Sequence, residues 1–359
     1  MFQHLKNIVT HTHQPDEAIL DLLTNTTIGT NGAKYQHLHT VSKIHKLVNP
    51  HYITVRRNKK AIGNMTVCER PILVQNQKVN SLYIRYFAFK TFFQSSGKQN
   101  KNKRKSIFET YLKELFNTSN LDVYKPEYNP SVYWAFIDPQ NNKSWNMADR
   151  FGLETIGHFS TYAFSRFYPK KNKNVSPIKP AEKESVWQNI QEFYKDYTNV
   201  SKTHLFEDDN YFVYRENEKI VAGIQVFDIH WRIDAMPGKK GKFLVNVLPH
   251  IPFLRRIINP KNYRFLGAEG LFWESGHQSK IELLLEAVLA EKKRHSMLLW
   301  FDDSDDKLIG LFESMKSGIM QKIKSDNSIE IVAKFNDFDE VLKQKMIASK
   351  KYISGFDTT

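Results

Sequence analysis

The sequence predicts an α/β (α+β) fold in two related halves, and three observations carry that prediction. Leu82 to Phe89 is rich in aromatic and apolar residues, as a strand is, and Gln94-Ser95-Ser96-Gly97-Lys98-Gln99 then leads through a basic run into an amphipathic helix from Ser106 to Phe116. The same order returns with Tyr263 to Phe272 as strand, Ser275-Gly276-His277-Gln278 as turn and Ile281 to Glu291 as helix, so Ser-Gly-X-Gln recurs half a chain later in the same setting. A chain of 359 residues also exceeds one ordinary core. The expected division is 1–168, a linker over 169–181, and 182–359 with an insertion at 231–262.

A Ser-Gly-Lys turn between a strand and a helix suits an anion. The unpaired N–H groups of the first helical turn face the bound group, and the helix dipole adds to the attraction. A nucleotide-type cofactor is the natural occupant.

Composition narrows the classes. No apolar run approaches the roughly 18 residues that span a bilayer, so no transmembrane segment is expected, and Met1 to Lys6 lacks the apolar core of a signal peptide. Cys68 is the only cysteine. It leaves no intrachain disulfide and no cysteine-based zinc site, and a reducing cytoplasm is the expected compartment. The formal charge of +14 suits a polyanion: a phosphorylated cofactor, a nucleic acid or an anionic membrane face. Plain solvation by lysine accounts for it equally well.

Element by element, Asp16 to Leu23 reads as a short helix. Tyr52 to Arg57 and Ala61 to Glu69 form a hairpin around Asn58-Lys59-Lys60. Val132 to Ile137 is a buried strand, and a helix entered at Asn141-Asn142 stops at Gly152, the usual left-handed cap. Ser160 to Phe167 closes the half. Tyr168 to Pro180, rich in Pro, Lys and Asn, looks like an interdomain linker. The second half repeats the order with a helix over Glu184 to Tyr197 and a hairpin of Tyr211 to Arg215 with Ile220 to Ile229. After its turn and helix come strand Met297 to Phe301, a helix from Asp306 to Met315, strand Ile329 to Phe335 and a last helix over Asp337 to Ser349. The insertion interleaves Pro237-Gly238-Lys239-Lys240-Gly241-Lys242 with Phe253-Leu254-Arg255-Arg256. Through 237–258 it suits contact with a membrane surface or an anionic substrate, or packing on a neighbouring domain.

Seven of the thirteen histidines fall in residues 1–51, including His11-Thr12-His13 and His37-Leu38-His39. Residues two apart on a strand share a face, so such pairs can supply two metal ligands. No carboxylate cluster or longer metal spacing accompanies them, and no metal is assigned.

With Gln94 and Gly97 at the first turn, where Gln99 stands in place of the family's small third residue, and Asn142 followed ten places on by Gly152-Leu153, the chain resembles the GNAT superfamily of acyl-CoA-dependent N-acyltransferases, seen twice over. The resemblance implies two GNAT-like domains, each a mixed, mostly antiparallel central sheet flanked by helices. It also implies acetyl-CoA or another acyl-CoA as co-substrate, with no metal, and direct attack by the amine of a small molecule, peptide or protein. The pantetheine arm would run along Phe87, Ala88 and Phe89, and the diphosphate would sit on Gln94, Ser96, Gly97, Lys98, Gln99, Lys105 and Ser106, with Asn142 beside the arm. At the second turn Trp273, Gly276 and Gln278 keep only the central glycine of the family pattern. Where the family often places a tyrosine acid, the chain has Ala148 and Ser314. Candidate bases and acids are then Glu69, Tyr83, Tyr86 and Glu269.

Two further readings stay open. Tandem halves also resemble Fem-type transferases, which draw on aminoacyl-tRNA, although no aromatic-plus-Arg motif supports nucleic acid. The eroded turns and missing tyrosines suit a GNAT-like protein that binds a ligand or partner without chemistry.

Overall fold

The structure is a computed structural model that describes residues 8–29, 34–74, 77–89, 107–117, 121, 130–236, 238–323 and 328–359. The chain forms two compact units. One comprises Met1–Ile28, Leu38–Ile156 and Ile331–Ala348; the other comprises Gly29–His37, Gly157–Glu330 and Ser349–Thr359.

These bounds differ from the expected division. The stretch 169–181 is not a linker: Val175–Pro177 pairs antiparallel with the 211–216 strand, Phe212 opposite Pro177 and Tyr214 opposite Val175. Proline and lysine are what a sheet edge carries to discourage further pairing, so an edge strand and a linker share a composition.

In the first unit Val9–Thr12, Pro50–Arg57, Lys60–Val74 and Gln77–Phe89 pair antiparallel in that order, and Ser131–Ile137 adds in parallel to Gln77–Phe89. Side chains alternate along a strand, and the neighbours Tyr52 and Ile53 enter two different cores. Ile53, Met65, Val67 and Leu82 pack with Leu112 and Phe116 of Ile107–Asn117 and with Phe151 of Asn142–Phe151. Tyr52 and Ala88 pack with Ile19 and Leu23 of Glu17–Thr24 and with Ile44 of Thr40–Ile44. The sheet is therefore flanked by helices on both faces.

Local signals place the helix ends. Asp16 caps its helix by accepting from the Ile19 N–H (3.0 Å), and Asn141 does the same for Ser144 (3.2 Å). Gly152 stops the second of these helices at φ +73°, as the sequence predicts. Gly152→Ala would force a Cβ into that left-handed conformation at a cost of about 1 kcal/mol; urea unfolding should show a lower midpoint with an unchanged slope.

In the second unit Val175–Pro177, Tyr211–Glu216, Lys219–Ala235 and Tyr263–Trp273 pair antiparallel, and Ser296–Asp302 adds in parallel to Tyr263–Trp273. Residues 159–165 of Glu154–Ser165 pair antiparallel with Ser296–Asp302. Tyr211, Phe212, Val213 and Tyr214 are all buried, so both faces of this sheet are covered as well. Lys183–Phe193, Ser279–Glu291 and Asp306–Ser314 supply the covering side chains.

The inserted stretch packs on its own unit. Lys219–Ala235 runs long enough to pair with Lys34–His37, and Leu244, Leu248, Ile257 and Ile258 form a cluster with Ile229, Ile233 and Phe265. Phe243, Val247 and Phe253 remain exposed on it. Among the described residues no helix is long and apolar enough to cross a membrane.

Candidate active site

Each unit has a central strand whose parallel neighbour leaves it partway along, and there the site is built. In the first unit Gln77–Phe89 pairs with Ser131–Ile137 only from Asn80 opposite Ser131 to Tyr83 opposite Trp134. Three residues past the last pair the strand bulges. Arg85 faces Thr66 and Ala88 faces Asn64, so Tyr86 and Phe87 stand against Met65 alone, and Tyr86 takes φ +51°. A non-glycine residue there costs about 1 kcal/mol, and bulges of this kind concentrate beside active sites, where they re-aim side chains.

Buried Asn64 holds the bulge. Its amide donates to the Tyr86 carbonyl (3.3 Å) and the Thr66 hydroxyl (2.9 Å), and its own oxygen accepts from the Thr54 hydroxyl (3.0 Å). Of the sequence-predicted residues, Tyr86, Phe87, Ala88 and Phe89 all lie on this part of the strand. Phe87 is exposed, Ala88 is buried, and the rings of Phe87 and Phe89 meet edge to face at 5.1 Å. Asn142 is exposed at the first position of its helix, five residues past Ile137. Gln94, Ser96, Gly97, Lys98, Gln99, Lys105 and Ser106 lie outside the described residues.

Tyr83 and Tyr86 have different surroundings. Tyr83 is buried at the last paired position, stacked on Trp134 (4.4 Å between centroids), with the Arg70 guanidinium 5.6 Å from the Trp134 ring. Tyr86 sits on the bulge with Arg85 over its ring at 4.8 Å. Its buried hydroxyl has no hydrogen-bond partner among the described residues, and neither has that of Tyr52 in the same cluster. Burial, then the charges of Cys68 and Tyr86, push the Tyr52 phenol well above its usual range, so it stays protonated. Nothing in the sequence singles out Tyr52 or Asn64; both read as ordinary strand residues.

Glu69 stands elsewhere. It pairs with Leu82, three residues and about 10 Å of strand from the Arg85 position. Its carboxylate accepts from the Asn80 amide (2.7 Å) and from His51 Nε2 (3.2 Å). Burial alone would raise its pKa, yet these hydrogen bonds prevail and hold it below the usual carboxylate value.

The second unit has the same bulge with a different occupant. Tyr263–Trp273 pairs in parallel with Ser296–Asp302 only at Leu266 and Gly267; three residues on, Gly270 takes φ +62°, and Gly270 with Leu271 stands against Ile224 alone. A Cβ on Gly270 would lie 2.7 Å from Leu205, so glycine is required twice over. Here the parted strands hold the chain's own C-terminal segment. Lys351 N–H donates to Asp302 (2.8 Å), the Ser354 hydroxyl and the Phe356 N–H (3.2 Å) donate to Glu269, and Gly355 lies against the Ala268 backbone. What remains is a cavity of about 20 Å³ lined by Glu269, Gly270, Leu299 and Tyr352. It has room for one water.

Glu269 is thus a buried clamp on that segment. Burial raises its pKa above the ordinary 4.5 against the opposing pull of His204 and the Ser354 hydrogen bond. A carboxyl whose folded pKa is raised contributes stability that is fully present below the unfolded value and is lost as pH rises through the folded one. Glu269→Gln should therefore flatten the decline in unfolding free energy above pH 4.5; an unchanged pH profile in urea titrations would contradict this assignment.

The second Ser-Gly-X-Gln is a turn between strand and helix, with Gly276 at φ +83°. Glu216 already pairs both His277 (3.1 Å) and Lys280 (2.8 Å), so both side chains are engaged within the fold. The insertion's Arg255 and Arg256 line a cleft of about 350 Å³ with Arg264, Lys293, Arg294 and His295.

Neither a family model nor a curated protein sequence matches the chain. Solved structures do. A crystal structure of Saccharomyces cerevisiae N-myristoyltransferase with bound myristoyl-CoA aligns over 90% of this chain and 82% of its own, with TM-score 0.55 and 10% identity. A second one, also with bound myristoyl-CoA, aligns over 90% and 78%, with TM-score 0.56 and 10% identity. The parallel strands that part beside a bulge thus sit in a fold similar to that of these N-myristoyltransferase structures, a mixed, mostly antiparallel sheet flanked by helices.

Proposed function

We propose that this protein transfers an acyl group from a CoA thioester to an amine, and that the first unit holds the thioester. The observation that carries this reading is the pair of bulged, parted strands, one of them filled. In the second unit the space is taken by residues 350–358; in the first, among the described residues, the parallel strand pairs no further than Tyr83, and we assign the edge at 84–89 to a pantetheine arm. We further read the shared register, a bulge three residues past the last parallel pair in both units, as the mark of a duplicated GNAT-like domain.

On this reading the backbone of Phe87, Ala88 and Phe89 pairs with the amides of the arm, and the basic run after Gly97 meets the phosphates. The acceptor nitrogen attacks the thioester carbonyl, the C–N bond forms, the C–S bond breaks, and the ammonium loses a proton to a base. The departing thiolate takes a proton from a phenol, and Tyr86 and Tyr52 are the phenols placed at the bulge. The acceptor is the amine of a small molecule or of a peptide, the acyl group is acetyl or longer, and the compartment is the cytoplasm.

A second reading, ligand binding without chemistry, is favoured by one observation: the two candidate carboxylates, Glu69 and Glu269, are both engaged in other contacts. One experiment separates the two. CoA at about a hundred times its dissociation constant should stabilise the protein by roughly 2.7 kcal/mol in a thermal scan under either reading, and release of free thiol from an acyl-CoA with an amine panel belongs to the first alone. Absence of both would end the proposal.

A further inference from the structure

We propose that His11, His13 and His51 of the first unit form a binding site for a divalent transition metal of the zinc class, with Glu69 as its outer-shell partner. The ligand atoms of the three side chains lie within 4.8 Å of one another. Strand pairing builds the group. Val9–Thr12 runs antiparallel to Pro50–Arg57, with Thr12 opposite Tyr52, so the next residues outward, His13 and His51, come together, and His11 shares their face two residues back.

Hydrogen bonding prepares two of the three rings as ligands. His51 is buried, and its Nε2 faces the Glu69 carboxylate at 3.2 Å, which leaves the Nδ1 lone pair for a metal. Glu69 is fixed in turn by the Asn80 amide at 2.7 Å. A ligating histidine whose other nitrogen donates to a held carboxylate is the recurring arrangement of zinc sites. His13 Nδ1 faces the Pro50 carbonyl at 3.3 Å, which leaves Nε2 as its ligand atom. His51 Nδ1 and His11 Nε2 stand 2.9 Å apart and share a hydrogen bond. Two nitrogens on a tetrahedral ion with bonds of about 2.0–2.1 Å lie roughly 3.3 Å apart, so a small widening admits the ion once His11 takes its other tautomer. Three imidazoles and no thiolate select zinc, cobalt, nickel or copper over magnesium or calcium. His13 is exposed and gives the ion a way in.

The test uses tag-free, chelator-treated full-length protein titrated with Co²⁺ and then Zn²⁺. One Co²⁺ per chain is expected, with a visible absorption band that Zn²⁺ removes and a higher melting temperature in the loaded form. His13→Ala, at an exposed position, should abolish the band. Glu69→Gln should weaken binding by about 10–100-fold, and His45→Ala, an exposed histidine outside the group, should leave it unchanged. No stoichiometric binding, or binding that survives His13→Ala, would overturn the site.

Discussion

Gly355→Val is expected to drive the C-terminal segment out of the second unit's parted strands. A Cβ at position 355 would lie 2.4 Å from the Ala268 carbonyl oxygen and 2.9 Å from its carbon, and both belong to a central strand paired on its other side. Neither can yield as a side chain would. Forcing atoms into such a site costs typically 1–3 kcal/mol. Release of the segment would also strip Glu269 of the Ser354 hydroxyl and the Phe356 N–H, and a buried acceptor left unsatisfied costs about 1–3 kcal/mol more. The variant should therefore unfold at clearly lower urea and should expose residues 350–359 to protease before global unfolding. Wild-type stability in Gly355→Val would show that the contact with Ala268 is not tight.

The second large effect is on chemistry. Tyr86→Phe and Tyr52→Phe each remove a hydroxyl that has no hydrogen-bond partner among the described residues, so neither should cost stability through a lost protein contact. If a phenol protonates the leaving thiolate, its loss should lower thiol release by about a hundredfold or more, while the CoA-induced thermal shift stays as in the wild type. The rate should fall in kcat and leave KM in place, since the missing interaction arises only as sulfur departs. Burial keeps the Tyr52 phenol protonated beyond its usual range, so no loss of this donor is expected as pH rises from 7 to 9. Two variants with wild-type turnover would return the acid to another group.

Much of this was legible in the chain. Both hairpins lie where the polar breaks between β-rich arms put them, but each break is one residue shorter than the three read from the sequence: Asn58-Lys59 and Asn217-Glu218 take positive φ at both positions of a two-residue turn. The helix ending at Gly152 and the turn at Gly276 also lie where the residues put them. The bulge is half legible: Gly270 announces a left-handed residue, but Tyr86 takes the same conformation with no signal of its own, because Asn64 imposes it from the neighbouring strand. Pairing between distant segments was not legible. Residues 331–348 belong with the first unit and 29–37 with the second, and nothing local to either stretch states its partner. His51 completes a group with His11 and His13 only through a register set forty residues away. The engagement of Glu269 by Ser354 and Phe356 likewise joins residues some eighty-five positions apart.

Hydrogen exchange measured with and without a non-hydrolysable acyl-CoA analogue tests the central claim most directly, because it reports on each bulged strand separately. Protection is predicted at residues 84–89, with exchange at 268–273 and 350–358 unchanged. Protection of 268–273 together with faster exchange at 350–358 would place the thioester in the second unit, and the assignment made here would be wrong.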